Sequence, residues 1–238
     1  MPWDVWLIFL VLAVFLPWRG RLRMKKLLAL ERVSTMDRLV LYTSTIAFQW
    51  TAVAIVGWRA WAHGFTLSEL ALVWGDKSKT VLVALTGSAL IGALQWLNLR
   101  RVGQLDVPTR GFLQVLAERI LPQTAIERLP YFALAVTAGL CEEFLYRGFA
   151  MAALRRAGLP VWTIVLISAV LFGLAHLYQG RAGLVSTLLV GAVFGSARIA
   201  YYSLIPVIAW HATLDAVAGL AGPKYLVRSP DGAAKKTL

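Results

Sequence analysis

Seven long apolar runs constrain the fold of this 238-residue chain more than any other feature of its sequence. Each is bounded by charged residues, proline or glycine, and they lie near residues 3–18, 39–61, 80–99, 130–151, 160–178, 183–203 and 204–222. About 20 residues of helix cross the hydrocarbon core of a bilayer. Backbone polar groups in lipid must be hydrogen-bonded within the protein, which favours helices. The sequence therefore predicts an all-α fold, a polytopic transmembrane helix bundle of about seven spans.

Segment 104–129 is a candidate for an eighth span. Its apolar residues Leu105, Phe112 and Leu116 recur among charged ones such as Arg110, the pattern of an amphipathic helix. This pattern fits a helix that lies in the membrane interface, and it equally fits one that dips partly into the bilayer. The last two runs are separated only by a turn around residues 202–206, which predicts a tight helical hairpin.

Composition supports a membrane protein and argues against a nucleic-acid partner. The chain is 59% hydrophobic and 15% charged, whereas soluble domains are about 45–50% apolar and about 25% charged. Its net charge is +12, but most basic residues lie in short segments between apolar runs, where they contact lipid headgroups. No zinc-finger spacing or separate basic domain accompanies them. We therefore expect a multi-pass integral protein of the cell membrane, with the lipid bilayer as its partner. The sequence predicts no oligomeric state.

The basic residues also predict the orientation. With the N-terminus outside, the inner segments 19–38, 100–129, 179–182 and 223–238 hold 17 Lys and Arg residues, and the outer loops 62–79 and 152–159 hold four. This asymmetry follows the positive-inside rule and predicts an N-out, C-in topology. We divide the chain into N-terminal helices with the amphipathic segment (1–127), a helix bundle that carries the ionisable residues (128–222), and a disordered cytoplasmic tail (223–238).

The fourth apolar run contains three ionisable residues, Glu142, Glu143 and Arg147. Charged side chains in hydrocarbon are expensive and usually mark function. Glu143 and Arg147 are four residues apart and share a helix face, so we interpret them as a structural ion pair. Glu142 points about 100° away and has no partner at this spacing, which leaves it available as a general base. A cluster of salt bridges that locks helices together is the alternative interpretation.

Two later runs each carry a histidine. His176 follows Phe172 by four residues, so the aromatic ring is placed to shield the imidazole from water. His211 and Asp215 are also four residues apart, and both must find partners across the bundle. Taken singly, each histidine is better explained as a hydrogen-bonded packing residue than as a catalytic one.

Together, the three signatures EExxxR, FxxxH and HxxxD follow one another in apolar segments. On these residues the sequence resembles the CAAX prenyl endopeptidase and bacteriocin-processing family of intramembrane proteases, also called the Abi family. The resemblance covers about residues 128–222. It implies an endopeptidase that cuts a membrane-associated protein or peptide, including prenylated substrates of the CAAX type.

The resemblance also implies roles for individual residues. Glu142 and His176 would activate a water molecule, and His211 with Asp215 would hold the oxyanion. Many relatives have asparagine where this chain has Asp215. An ionised aspartate repels an oxyanion, so Asp215 must be protonated, orient His211 or bind a cation.

The same four residues permit a metal-dependent alternative. Two histidines with one or two carboxylates, here Glu142, His176, His211 and Asp215, can make a zinc site with an open position for water. The chain lacks an HExxH motif, and the four groups come from three different runs. We therefore favour glutamate catalysis without a cofactor. Cys141, the only cysteine, is interpreted as a small packing residue.

Two other classes of function remain open at this point. A non-catalytic membrane scaffold or immunity protein could use the same bundle. A transporter could use the ionisable residues as a proton relay, but no inverted repeat is visible in the sequence.

Overall fold

A computed structural model describes residues 1–227, and its regular structure is helical throughout. The α-helices are α1 Trp3–Leu10, α2 Leu16–Ala29, α3 Thr35–Ala62, α4 Lys77–Gln104, α5 Val107–Ile120, α6 Ala125–Glu143, α7 Met151–Arg156, α8 Val161–Ala175, α9 Gly180–Tyr201 and α10 Ile205–Leu226. A π-helical turn, Val11–Phe15, joins α1 to α2, and another, Phe144–Ala150, joins α6 to α7. The predicted tail 223–238 begins inside α10, and its remainder from residue 228 lies outside the described residues.

Five helical segments of this described part are long and apolar enough to cross a membrane. They are Trp3–Ala29, Thr35–Ala62, Lys77–Gln104, Leu177–Tyr201 and Ile205–Leu226. The prediction of seven spans, with an eighth at 104–129, is not confirmed. Helix α8 has 15 residues, about 22 Å of helix, and falls short of the roughly 30 Å of hydrocarbon. The predicted span 130–151 contains three charged residues and is broken by the second π-helical turn.

Polar residues at helix ends fix where several helices begin. Ser34 and Asp37 form a capping box at the start of α3, and Thr124 and Glu127 form one at the start of α6. Such boxes satisfy backbone N–H groups that the first turn leaves unpaired. Arg38 Nε also lies 3.1 Å from Glu127 Oε2, so the two helix starts are tied together.

Helix α10 packs mainly against α4 and α6, while α9 packs mainly against α8. The hairpin predicted for the last two runs is therefore wrong in its packing, although the connecting turn is present. Tyr202 takes a left-handed conformation there, with φ of 52°, and the chain redirects α10 toward other neighbours. The contact of α6 with α10 brings two of the predicted functional segments side by side.

Gly139 permits the close approach of α6 to α10. A Cβ atom there would lie 2.9 Å from the carbonyl oxygen of Ile208 and 3.1 Å from the amide nitrogen of Ala212. Both are backbone atoms of α10, so the helices would have to separate. We expect Gly139→Ala to lower stability by about 1–3 kcal/mol, measured by thermal unfolding in detergent.

Gly57→Ala is the matched control for this substitution. A Cβ at Gly57 would meet only Phe144 Cζ, at 3.8 Å, which is ordinary contact. Equal melting temperatures for the two variants would contradict the close-packing explanation.

A second tie holds the loop between α3 and α4 to the end of α7. Arg156 Nε lies 2.7 Å from Glu69 Oε1, and its Nη2 lies 2.8 Å from Glu69 Oε2. Arg156 also donates to the backbone carbonyls of His63 and Gly64. The hydrogen bonds from Arg156, with those from Thr66, lower the pKa of Glu69 from 4.5 to about 2.

We expect the ion pair between Arg156 and Glu69 to weaken only at acidic pH. A carboxyl whose pKa is lower in the folded state stabilises fully above its unfolded pKa, here 4.5, and this contribution is lost as the pH falls toward 2. Glu69→Gln should therefore speed proteolysis of the loop at pH 7 and have less effect near pH 3. The effect is small because both side chains are partly exposed. A pH-independent difference between wild type and Glu69→Gln would contradict it.

Candidate active site

The candidate site begins where α6 gives way to its π-helical turn. Glu142 and Glu143 end α6, and Arg147 lies within the turn Phe144–Ala150. Such π-helical turns occur frequently at functional sites. Arg147 Nη1 lies 3.0 Å from Glu143 Oε1, as the four-residue spacing predicts, and both side chains are completely buried. The guanidinium also lies over the ring of Phe172, 4.3 Å from its centroid.

Glu143 has a second partner, which the spacing did not reveal. Its Oε1 lies 2.7 Å from His211 Nδ1, so the same oxygen accepts from Arg147 and from the imidazole. This contact joins α6 to α10. Glu143 therefore holds the orientation of His211 in addition to neutralising Arg147.

Glu142 points to a different side of the helix and has a different environment. Gln49 on α3 donates from Nε2 to Glu142 Oε1 at 2.7 Å. The other oxygen, Oε2, is buried without a hydrogen-bond partner among residues 1–227 and lies 3.9 Å from His176 Nε2. That separation is too long for a direct hydrogen bond, and a water molecule that touches both atoms can bridge it.

His176 is oriented by the end of α8. Its Nδ1 lies 2.8 Å from the carbonyl oxygen of Phe172, one of the last-turn carbonyls that lack a helical partner. A carbonyl oxygen only accepts, so Nδ1 carries the proton. In the neutral ring, Nε2 then presents a lone pair toward Glu142. The Phe172 ring packs on the imidazole at 4.5 Å between centroids, as their four-residue spacing predicts.

Glu142 and His176 line a cavity of about 210 Å³ between α2, α3, α6 and the end of α8. Most of its wall is apolar, and Gln49 is also part of it. The cavity is therefore large enough for several water molecules or for a short length of peptide.

His211 and Asp215 do not line this cavity. The Phe172 and His211 rings meet edge to face with centroids 5.8 Å apart. His211 Nε2 lies 3.7 Å from Asp215 Oδ2, too far for a hydrogen bond. The structure thus forms two pairs, Glu142 with His176 and His211 with Asp215, and both imidazole rings lie close to the ring of Phe172.

The described residues contain no group of three or more His, Cys, Asp or Glu side chains arranged to hold a metal ion. Cys141 precedes Glu142 and is buried, with 1% of its surface exposed. Its side chain is packed in the interior of the protein.

Comparison with protein families gives a match over residues 124–217, to the family described as Rce1-like, type II CAAX prenyl endopeptidase. This segment is an Rce1-like domain. Neither the curated proteins nor the solved structures gave a match to the chain.

The Rce1-like domain contains all the predicted site residues, from Glu142 to Asp215. The match to this family of membrane proteases and the five apolar helices together indicate an integral membrane protein. Gln49, which holds Glu142, lies outside the matched segment on α3. A neutral amide in the middle of an apolar run was the only signal in the sequence that could have identified it.

Proposed function

We propose that the protein is an intramembrane endopeptidase that hydrolyses a peptide bond in a membrane-associated protein or peptide, including CAAX-type substrates. The geometry around Glu142 carries this proposal. One carboxylate oxygen is fixed by Gln49, and the other is buried without a protein partner beside His176 Nε2. In a non-catalytic scaffold this oxygen would be buried without a hydrogen bond and would lower the stability of the fold by about 1–3 kcal/mol or more. Such a loss of stability has a functional reason only in an enzyme.

Hydrolysis then proceeds by direct attack of water. The water molecule is held between Glu142 and His176, and Glu142 accepts its proton as the oxygen attacks the carbonyl carbon. The tetrahedral intermediate collapses when the carbon–nitrogen bond breaks. The proton passes to the leaving nitrogen, and the products are a new carboxyl terminus and a free amine. A positioned base of this kind contributes about 10²–10⁴-fold to the rate.

We assign the stabilisation of the oxyanion to His211. Glu143 holds Nδ1, so Nε2 is the nitrogen that can donate to a developing negative charge. Arg147 neutralises Glu143 and is a positioning residue. Asp215, at 3.7 Å from Nε2, acts on the same imidazole and restricts its rotation.

The zinc-dependent version of this enzyme remains the alternative. In it, Glu142, His176, His211 and Asp215 would be ligands. The described residues do not group three of these side chains as metal ligands, which supports the metal-free mechanism. The N-out, C-in orientation and a location in the plasma membrane also remain proposals, supported by the distribution of Lys and Arg.

Cleavage of a membrane-anchored peptide library by the purified protein, with and without a chelator, tests this function. We expect cleavage that a chelator does not reduce. Loss of cleavage with the chelator and its recovery with zinc would support the metal-dependent version. Absence of cleavage under all conditions would favour a scaffold and contradict the proposal.

A further inference from the structure

The loop between α3 and α4, residues 63–76, folds into the helix bundle instead of lying over its end. Leu70 is 5% exposed and Ala71 is 1% exposed. Leu70 belongs to an apolar cluster that includes Val56 of α3, and Ala71 belongs to another that includes Val207 of α10. Loops ordinarily run over the surface, because their backbone polar groups find partners there. This loop instead contributes side chains to the interior.

Contacts from three elements hold the loop in place. Arg156 of α7 binds the side chain of Glu69. Arg198 of α9 donates from Nη2 to the carbonyl oxygen of Glu69 at 2.5 Å, and the backbone N–H of Leu204, before α10, donates to the carbonyl oxygen of Ala71 at 2.9 Å. Ala71 has a left-handed conformation, with φ of 55°. A residue with a Cβ atom keeps this conformation only where the surrounding contacts enforce it, so the loop is fixed in its inserted position.

A buried charged centre lies close behind the loop. Gly148 follows Arg147 in the chain, and a Cβ atom at Gly148 would lie 3.3 Å from the carbonyl oxygen of Leu70. The backbone of the loop therefore contacts the residue next to Arg147. Arg147 Nε and Nη2 and Glu143 Oε2 are buried without hydrogen-bond partners among residues 1–227. Unsatisfied polar atoms attract water, so water that passed the loop would be drawn to them.

The cavity that contains Glu142 reaches the same apolar cluster from the opposite side. Ala52 and Leu145 line the cavity. Leu145 is also a member of the cluster that contains Leu70, and Ala52 packs against it. Ala52 is ten residues before the end of α3 at Ala62, which corresponds to about 15 Å of helix. Because the hydrocarbon core of a bilayer is about 30 Å thick, water in the cavity leaves only about half of it as a barrier.

We infer that the α3–α4 loop is a plug, in which Leu70 completes the apolar layer that stops water and protons from crossing the bilayer through the bundle. Hydrophobic constrictions block ions in channels in the same way, by excluding water. The inference goes beyond the proposed function, because a bundle with this cavity needs the barrier whether or not Glu142 is catalytic.

Proton entry into reconstituted vesicles tests the inference. Wild type and Leu70→Ser are incorporated into vesicles that contain a pH-sensitive dye, and a potassium gradient with valinomycin drives protons inward. Wild-type vesicles should be as tight as vesicles without protein. Removal of a buried leucine side chain favours the open loop about thirtyfold or more, and we expect proton entry to rise by a similar factor in Leu70→Ser.

Two leucine substitutions are the matched controls. Leu67→Ser makes the same change in the same loop at a side chain that is 63% exposed, and these vesicles should stay tight. Leu70→Met nearly conserves the volume of the buried side chain and should also stay tight. A leak caused by general damage to the loop or to the lipid would appear with Leu67→Ser as well.

Cysteine labelling decides the question if Leu70→Ser does not fold. Cys141→Ala removes the native cysteine. In that background, Leu70→Cys and Leu67→Cys are treated with a membrane-impermeant maleimide in intact vesicles. Because a buried thiol reacts only when the loop opens, labelling at position 70 should be at least about tenfold slower than at position 67.

Three outcomes would overturn the inference: a folded Leu70→Ser protein that is as tight as wild type, a leak as large with Leu67→Ser, or equal labelling of the two cysteine variants. Peptide cleavage is measured on the same proteins and separates the plug from the proposed function. If Leu70→Ser leaks and wild type cleaves no peptide, the proposed function fails and the plug stands. If wild type cleaves peptide and Leu70→Ser does not leak, the reverse holds.

Discussion

Glu142→Gln is expected to reduce peptide cleavage by about 10²–10⁴-fold while the protein still folds, because the amide cannot accept the proton of the attacking water. The shape of the side chain is retained. The oxygen that accepts from Gln49 Nε2 is retained as well, so the contact at 2.7 Å can persist. The measurement is the rate of cleavage of a membrane-anchored peptide by equal amounts of purified wild type and variant.

The control for this prediction is the folded state of the variant. Thermal unfolding in detergent should give a melting temperature close to that of wild type, because Glu142 is not part of the buried Glu143–Arg147 pair. A variant that is folded and fully active would remove Glu142 from the mechanism. A variant that is unfolded would place this residue with the structural ion pairs instead.

Arg147→Ala should have the largest effect on stability. Both members of the ion pair are completely buried, and Glu143 also binds His211. Removal of the guanidinium leaves Glu143 without its permanent cation, and loss of one partner of a buried pair typically costs about 3–5 kcal/mol. The stacking on Phe172 is lost as well. We expect reduced membrane expression and a much lower melting temperature.

Two further variants separate charge from packing. Arg147→Met retains much of the side-chain volume, so a loss as large as that of Arg147→Ala would assign the effect to charge. Combining Arg147→Met with Glu143→Gln removes both charges and should recover part of the stability. A double variant less stable than either single one would contradict the ion-pair account.

The sequence predicted the helical class and the main ionisable residues because both depend on local spacing. Apolar runs of bilayer length identify spans, and a separation of four residues places Glu143 with Arg147 and Phe172 with His176. These relations hold within one helix whatever its neighbours are. The Rce1-like match over 124–217 confirmed the family resemblance.

Contacts between helices could not be predicted in this way. The pairing of Glu142 with Gln49 joins residues 93 positions apart, and that of Glu143 with His211 joins residues 68 apart. They depend on which faces of α3, α6 and α10 meet. The packing of α10 against α4 and α6 follows from close approaches such as the one at Gly139, not from proximity in sequence. Likewise, only the packing of Leu70 shows that the loop between α3 and α4 folds into the bundle.

The most direct test of the central claim is a double-mutant cycle on Glu142 and His176, using Glu142→Gln, His176→Gln and the combination. If both side chains act on one water molecule, their effects are not additive. The combined variant should then cleave peptide about as slowly as the slower single variant. Losses that multiply, so that the combined variant is slower by the product of the two single effects, would show that the two residues act independently and would contradict the mechanism.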